Sequence, residues 1–389
     1  MAQPRVLFVS KPIVPPWHDG SKNLVRDVAT HLEQAWPTVL TTAGQGSALG
    51  PRVRTEALYR EAGRFSPSML ANARVLLRLL LGDPQDVWHF VFAPNPASSH
   101  AALLAKTLRR RTGFQGPVVQ TVASAPRSFE GVGRLVFGDV VIALTEWTRG
   151  RLLGAGLTGV PVRVIPPCVR APEAPSRDAI LALRARHDLG EGPVVLYPGD
   201  YELSRGAWNV AGALPELARA FPDARFVFAC RAKTPGAAGA EAELQRRIAR
   251  AGLSSRVRYL GEVDDMSALL ASSTLVAFPV DDLYGKVDLP LVLLEAMALG
   301  VPLVVAEGGP LEALSGAALL VPPGHDASLA EAVASLLKDP GARRSASLSG
   351  KRMYDARFTP AVIARAHDAL YAELLEGRKS PLFLPRRTW

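Results

Sequence analysis

At 389 residues the chain is long enough for two domains of ordinary size, and its composition (48% hydrophobic, 21% charged) excludes a fibrous or disordered protein. Its two cysteines, Cys168 and Cys230, exclude a disulfide framework or a structural zinc site, and no apolar run reaches the roughly 18 residues of a spanning helix. The net charge of +9 lies entirely in the first half: Met1–Cys168 has 19 Lys+Arg against 10 Asp+Glu, and the remainder has 26 against 26. That asymmetry suits an anionic partner such as a lipid surface or a phosphorylated acceptor; arginine used on solvated faces accounts for it equally well. The start, MAQPRVLFVS, lacks the long apolar core of a secretory leader and reads as a strand, so a cytoplasmic protein is expected.

In chain order, short β-branched runs alternate with amphipathic stretches, the pattern of doubly wound parallel sheets. The first half offers strands at Val6–Ser10, Val39–Thr42, Val53–Leu58, Val87–Phe92, Val118–Val122, Val140–Leu144 and Val162–Ile165. Helices are expected at Lys22–Gln34, Ser68–Leu81, Ala97–Arg110 and Glu146–Ala155. Four prolines between Pro166 and Pro175 form a linker, because proline continues neither a helix nor a central strand. The alternation then restarts with strands at Val194–Pro198, Phe226–Ala229, Val257–Leu260, Leu275–Phe278, Leu303–Ala306 and Ala318–Val321, and a last helix is expected over Thr359–Glu376. The fold class is therefore α/β, with two Rossmann-like domains: residues 1–168, a hinge at 169–190, a second domain at 191–356, and a C-terminal helix and tail at 357–389. Ligands of such sheets sit at the carboxyl ends of the strands.

After the strand ending near Pro279, Asp288 is a plausible helix N-cap, with Leu289 and Pro290 in the first turn and Gly300 and Pro302 as the stop. Free amides at that helix start would suit a diphosphate. Glu295 interrupts an apolar run; it either accepts hydrogen bonds from ribose hydroxyls or orders the core through a neighbouring amide or Arg. In Pro15–Asn23, the turn after the first strand, Gly20 permits close backbone approach and the amides of Ser21 and Lys22 could face an anion; an ordinary turn capped by Ser21 is the alternative. Neither Asp264-Asp265 nor Asp281-Asp282 has metal-ligand spacing. His89 is read either as a cleft residue or as a satisfied core histidine. Leu70, Ala73, Leu76, Leu77 and Leu80 share one side of their helix, with Arg74 and Arg78 on another, which fits an interfacial helix or one docked on its sheet.

The run Leu294-Glu295-Ala296-Met297-Ala298, with Gly300, Pro302 and Gly308-Gly309, closely resembles the donor signature of retaining glycosyltransferase family 4, whose fold is GT-B. VRVIPPCV, VLYPGDYELSRGAWNV and RVRYLGEVDDMSALLASSTLVAFP resemble further family segments, so the likeness spans about Val6 to Glu376. It implies two Rossmann-like domains facing a central cleft, the first for the acceptor and the second for the donor nucleotide. The activity implied is hexosyl transfer from a nucleoside-diphosphate sugar, with retention, with no metal or cofactor and no nucleic acid partner. The acceptor is left open among glycan, lipid and small molecule, and peripheral contact with an anionic inner membrane face through the basic first domain is allowed. By resemblance Glu295 holds the ribose, Arg205 clamps the diphosphate where the family has Lys, and Gly20, Ser21, Lys22, Leu289, Gly308 and Gly309 line the donor. The family's first Glu corresponds to Val287, so Lys286 and Asp288 are expected to serve the transferred sugar with Arg205 as the catalytic set. Ala123 stands at the family's His, and Asp200 at its Arg. These departures leave a second expectation, a nucleotide-sugar-binding protein with impaired catalysis.

Overall fold

The structure, a computed structural model, describes residues 3–17, 19–43, 49–60, 69–232 and 234–377. It divides into two compact units: one holds the chain up to Val169, Gly285–Asp288 and the residues from Thr359, and the other holds Arg170–Tyr284 and Leu289–Phe358.

The first unit is built on seven strands: β1 (Arg5–Val9), β2 (Trp36–Thr42), β3 (Arg54–Tyr59), β4 (Val87–Phe92), β5 (Val118–Val122), β6 (Val140–Ala143) and β7 (Val162–Val164). They pair in the order β3-β2-β1-β4-β5-β6-β7, every pairing parallel. Because both faces carry helices, the central strands are buried almost throughout, which explains why Val-Leu-Phe-Val and Val-Val-Gln-Thr-Val read as continuous apolar runs. The helices are α1 (Gly20–His31), α2 (Met69–Leu81), α3 (Pro96–Arg111) and α4 (Glu146–Gly154). On one face Leu7, Leu40, Trp88, Phe90 and Val118 pack with Val75, Leu79, Ala102 and Ala105 of α2 and α3.

The second unit has six parallel strands, β8 (Val194–Tyr197), β9 (Arg225–Ala229), β10 (Val257–Leu260), β11 (Leu275–Phe278), β12 (Leu303–Ala306) and β13 (Ala318–Val321), ordered β10-β9-β8-β11-β12-β13. Its helices are α5 (Arg177–Arg186), α6 (Gly206–Ala220), α7 (Ala237–Arg250), α8 (Met266–Ser272), α9 (Leu291–Ala298), α10 (Asp326–Lys338) and α11 (Pro340–Arg357). The segment 169–190, expected as a hinge, therefore contains a helix: Ser176 caps α5 through the amide of Ala179, between a proline-rich irregular part before it and a short turn after it.

The last helix, α12 (Pro360–Gly377), packs on α1 in the first unit. Ile363, Ala364, His367, Leu370 and Tyr371 are buried, and Asp368 accepts hydrogen bonds from the amides of Glu33 and Gln34.

In both sheets the strand order reverses beside the first strand of the unit, between β1 and β4 and between β8 and β11. The crevice outside the carboxyl ends of those strands is where an open α/β sheet receives its ligand.

Candidate donor-binding site

In the second unit the loops at this reversal bring three expected elements onto neighbouring strands. Arg205 ends the loop after β8, Glu295 lies on the helix that follows β11, and Gly308-Gly309 follow β12. The β8 loop is held from within. Asp200, wholly buried, accepts from the amides of Leu203 and Ser204, and the hydroxyl of Tyr197 donates to the Asp200 carbonyl. Gly206 is required here, since a Cβ would stand 2.6 Å from Val280 and 2.7 Å from the Tyr197 hydroxyl. Asp200 thus shapes the turn, and Arg205 is left exposed at the start of α6, with no ion pair to it among the described residues. An unopposed guanidinium can meet a diphosphate through two parallel hydrogen bonds.

Helix α9 begins later than expected. Its N-cap position is Pro290 and no side chain caps it, so Asp288 is not the cap and Leu289 lies before the helix with its side chain in the core. The first amides of α9 thereby face no capping oxygen from a side chain, the condition for anion binding at a helix start. The helix is apolar and buried except at Val292 and Glu295, which are half-buried, and Gly300 ends it at φ 71°. After β12, Gly308 adopts φ 78° and its amide donates to Glu312 Oε1 at 2.9 Å, which fixes the Gly-Gly turn above a short 3-10 helix, Pro310–Leu314.

In the first unit the turn after β1 is organised around Asp19, which the sequence reading passed over. Its carboxylate caps α1, accepting from the amides of Ser21 (2.9 Å) and Lys22 (3.2 Å) and from the Ser21 hydroxyl (2.6 Å), and it pairs with Lys11 at 2.7 Å. The two amides expected to face an external anion already face this internal one, and Asp19, not Ser21, is the cap. Burial alone would raise the Asp19 pKa, but the Lys11 ammonium and these bonds outweigh it and hold the group at about 2. The Lys22 ammonium is mostly buried, and desolvation pulls its pKa down. A signal was present: an acid directly before Gly-Ser-Lys at a helix start is a capping pattern. His18 lies outside the described residues.

The segment 285–288 groups with this first unit. Val287 packs on Gly20, where a Cβ would come within 3.0 and 3.3 Å of its two methyl groups. Asp288 is buried, with Oδ2 accepting from the hydroxyls of Thr145 (3.0 Å) and Thr148 (2.6 Å) at the start of α4. Burial pushes its pKa up to about 6, against the two hydroxyl bonds, which lower it. Lys286 is half-buried beside it. Ala123, at the end of β5, is buried and adds no polar group.

Other candidates resolve as structural. His89 is a core histidine whose ring nitrogens meet Tyr371 Oη and Thr121 Oγ1, each at 2.7 Å. Asp265 caps α8, and Asp282 accepts from the Tyr284 amide. No group of three or more His, Cys, Asp or Glu side chains able to hold a metal occurs among the described residues. No described helix is long and apolar enough to cross a membrane.

Residues 192–339, which include Arg205, Glu295 and the Gly-Gly turn, match the family model described as Glycosyl transferases group 1. The chain is 29% identical over 343 residues to a GDP-mannose-dependent alpha-(1-6)-phosphatidylinositol monomannoside mannosyltransferase of Mycolicibacterium smegmatis, covering 82% of this chain and 85% of that one. It is 26% identical to a phosphatidyl-myo-inositol mannosyltransferase of Mycobacterium leprae, over 79% of each. Among solved structures, HepE of Anabaena in complex with UDP-glucose aligns over 96% of this chain and 100% of that one, with a TM-score of 0.73 at 19% identity. Sucrose-phosphate synthase of Thermosynechococcus elongatus aligns over the same shares, also at 0.73 and with 20% identity.

Proposed function

We propose, from the premise that this chain is a divergent glycosyltransferase of the GT-B fold, that it transfers a hexose with retention from a nucleoside diphosphate to an acceptor carried by the first unit. The observation that carries the donor half is the set Arg205, Glu295 and Gly308-Gly309 at the carboxyl ends of β8, β11 and β12, within the segment that matches the family model. In this reading Arg205 and the α9 amides bind the diphosphate and stabilise it as it leaves, while Glu295 accepts from the ribose hydroxyls. Transfer with retention then depends on electrostatic stabilisation of the departing diphosphate more than on a protein base, consistent with the apolar residues Ala123 and Val287. No metal is required, since arginine and helix amides supply the positive charge.

GDP and GDP-mannose are the first donors to test, because the Mycolicibacterium smegmatis relative is named for GDP-mannose. Glu295→Ala and Arg205→Ala should each weaken nucleotide binding about 10- to 100-fold in calorimetry, the loss of a charged hydrogen bond worth about 1.5–3 kcal/mol. Unchanged affinity in both variants, for GDP and UDP alike, would remove the assignment.

One observation favours a second reading, a nucleotide-sugar-binding protein with impaired catalysis: Val287 is packed on Gly20, and Asp288 is spent on two threonines. Donor binding without hydrolysis or transfer would select it. The reading also includes a cytoplasmic protein that meets an anionic membrane through its basic first unit, where its acceptor is held.

A further inference from the structure

At the amino ends of β4 and β5, opposite the crevice end of the same strands, the first unit has a cavity of about 420 Å³. It lies between the two loops that enter those strands and Leu375 of α12, all within that unit. Its walls follow from the way α3 stops. Gly113 takes φ 96°, and the Phe114 amide donates back to the Arg109 carbonyl at 2.9 Å, so the chain reverses under the last turn. The Phe114 ring then stacks on Trp88 at 4.3 Å. Gly116 lets the two loops approach, since a Cβ there would run into the Asp86 carbonyl oxygen. The resulting volume is within the range of small-molecule sites, about 300–1,000 Å³.

Two polar side chains in the wall are left unspent. Arg109 stands in the last turn of α3 beside Arg110, whose guanidinium pairs with Asp139 at 2.8 Å. Arg109 itself meets no carboxylate among the described residues, and its buried Nε has no hydrogen bond. Gln85 is 5% exposed; nothing donates to its Oε1, and its Nε2 reaches only the Asp83 carbonyl, at 3.5 Å. The carboxylate in the wall, Asp86, is already taken by the amide and guanidinium of Arg5. A buried amide oxygen without a donor is unfavourable, and a ligand hydroxyl in the cavity relieves it.

We infer that this cavity binds a hexose phosphate. The phosphate meets Arg109 through the parallel hydrogen bonds that a guanidinium offers. Sugar hydroxyls both donate and accept, so they can serve Gln85 Oε1 and the Thr112 hydroxyl, which donates to the Arg109 carbonyl at 3.1 Å and keeps its lone pairs. The apolar atoms of the ring lie against Pro84, Phe114 and Leu375. A single unspent arginine suits one phosphate group, and amide and hydroxyl walls suit a polyol more than a second anion. The cavity lies at the far end of the strands from the crevice, so the inference goes beyond the donor and acceptor readings and does not rest on either.

The test is calorimetry of the full chain with glucose 6-phosphate, with and without GDP. The expected result is one site per chain with the same affinity in both conditions. Arg109→Gln should weaken it about 10- to 100-fold, the loss of a charge-assisted hydrogen bond. Arg111→Gln removes the same charge from the exposed end of α3, outside the cavity, and should leave binding unchanged. Gln85→Leu removes the unpaired amide. It should melt no lower than wild type alone, yet lose most of the rise in melting temperature that glucose 6-phosphate gives wild type. No binding at millimolar ligand, or equal loss in both arginine variants, would overturn the site. Displacement by GDP would move the ligand to the donor crevice and overturn it as well. Inorganic phosphate binding as tightly as glucose 6-phosphate, or a Gln85→Leu response equal to that of wild type, would overturn the sugar. Nucleotide affinity of the Arg109 and Gln85 variants keeps the readings apart: it is unchanged whether or not this cavity binds.

Discussion

Asp288 places its carboxyl where water does not reach, and the hydroxyls of Thr145 and Thr148 donate to its Oδ2. Its folded pKa is raised from 3.8 to about 6, so the folded chain holds this proton more tightly than the unfolded one. The stability it contributes is present below about pH 3.8 and lost as pH rises through 6, a cost on the order of 3 kcal/mol. Asp288→Asn keeps the side chain neutral, so its melting temperature should gain on wild type as pH rises from 4 to 7. A constant difference across that range would show that the group is not desolvated. Arg205 is the opposite case, an exposed cation made available because Asp200 is occupied by the amides of its own turn. Sequence reasoning read Asp288 as a helix cap and a sugar contact and Arg205 as a clamp on the diphosphate, and the cap reading gave way to Pro290. It could not tell a spent carboxylate from a free guanidinium, because partners such as Thr145 lie more than a hundred residues away.

At the level of elements, α9 forms without a capping side chain because it is buried on nearly every side, and tertiary packing replaces the missing cap. Its late start follows from Pro290, whose ψ of 127° is extended and leaves the helix to begin at Leu291. The contact of Gly20 with Val287 couples the start of α1 to the segment 285–288. Gly20→Ala should lower the turnover of hexose transfer, on the order of tenfold or more, since small displacements of a positioned group cost that much. Val287→Ala in the same chain should recover most of the loss, by removing the methyl groups that the new Cβ meets. If the double variant is as slow as the single one, the contact is not the reason for the glycine. The strands were legible to within a residue or so at most ends, because β-branched runs buried on both faces leave a strong signal. Helix α5 was missed because its sequence, RDAILALRAR, buries only Leu183 and so shows little periodicity.

Taking the molecule as a whole, α12 closes the first unit through a buried polar cluster: His89 bonds Tyr371 and Thr121, and its ring lies 5.5 Å from that of His367. Burial holds both imidazoles neutral, His89 well below its ordinary value and His367 at about 4. Such groups contribute stability that is complete above about pH 6.5 and is lost as pH falls toward 4. Two imidazoles outweigh the opposing carboxyl of Asp288. Calorimetry at pH 7 and pH 5 should therefore show the transition of the first unit shifting down more than that of the second. Equal shifts would contradict the buried neutral cluster. Period and composition alone determined the two parallel sheets, because alternation of buried strand and amphipathic helix is a local property that each segment carries in its own residues. Which side chains are occupied was decided only by the tertiary structure. Asp19 fills the anion place at α1, Asp288 turns to Thr145 and Thr148, and His89 turns to Tyr371, since each partner is brought near by strand order and helix packing, not by spacing along the chain.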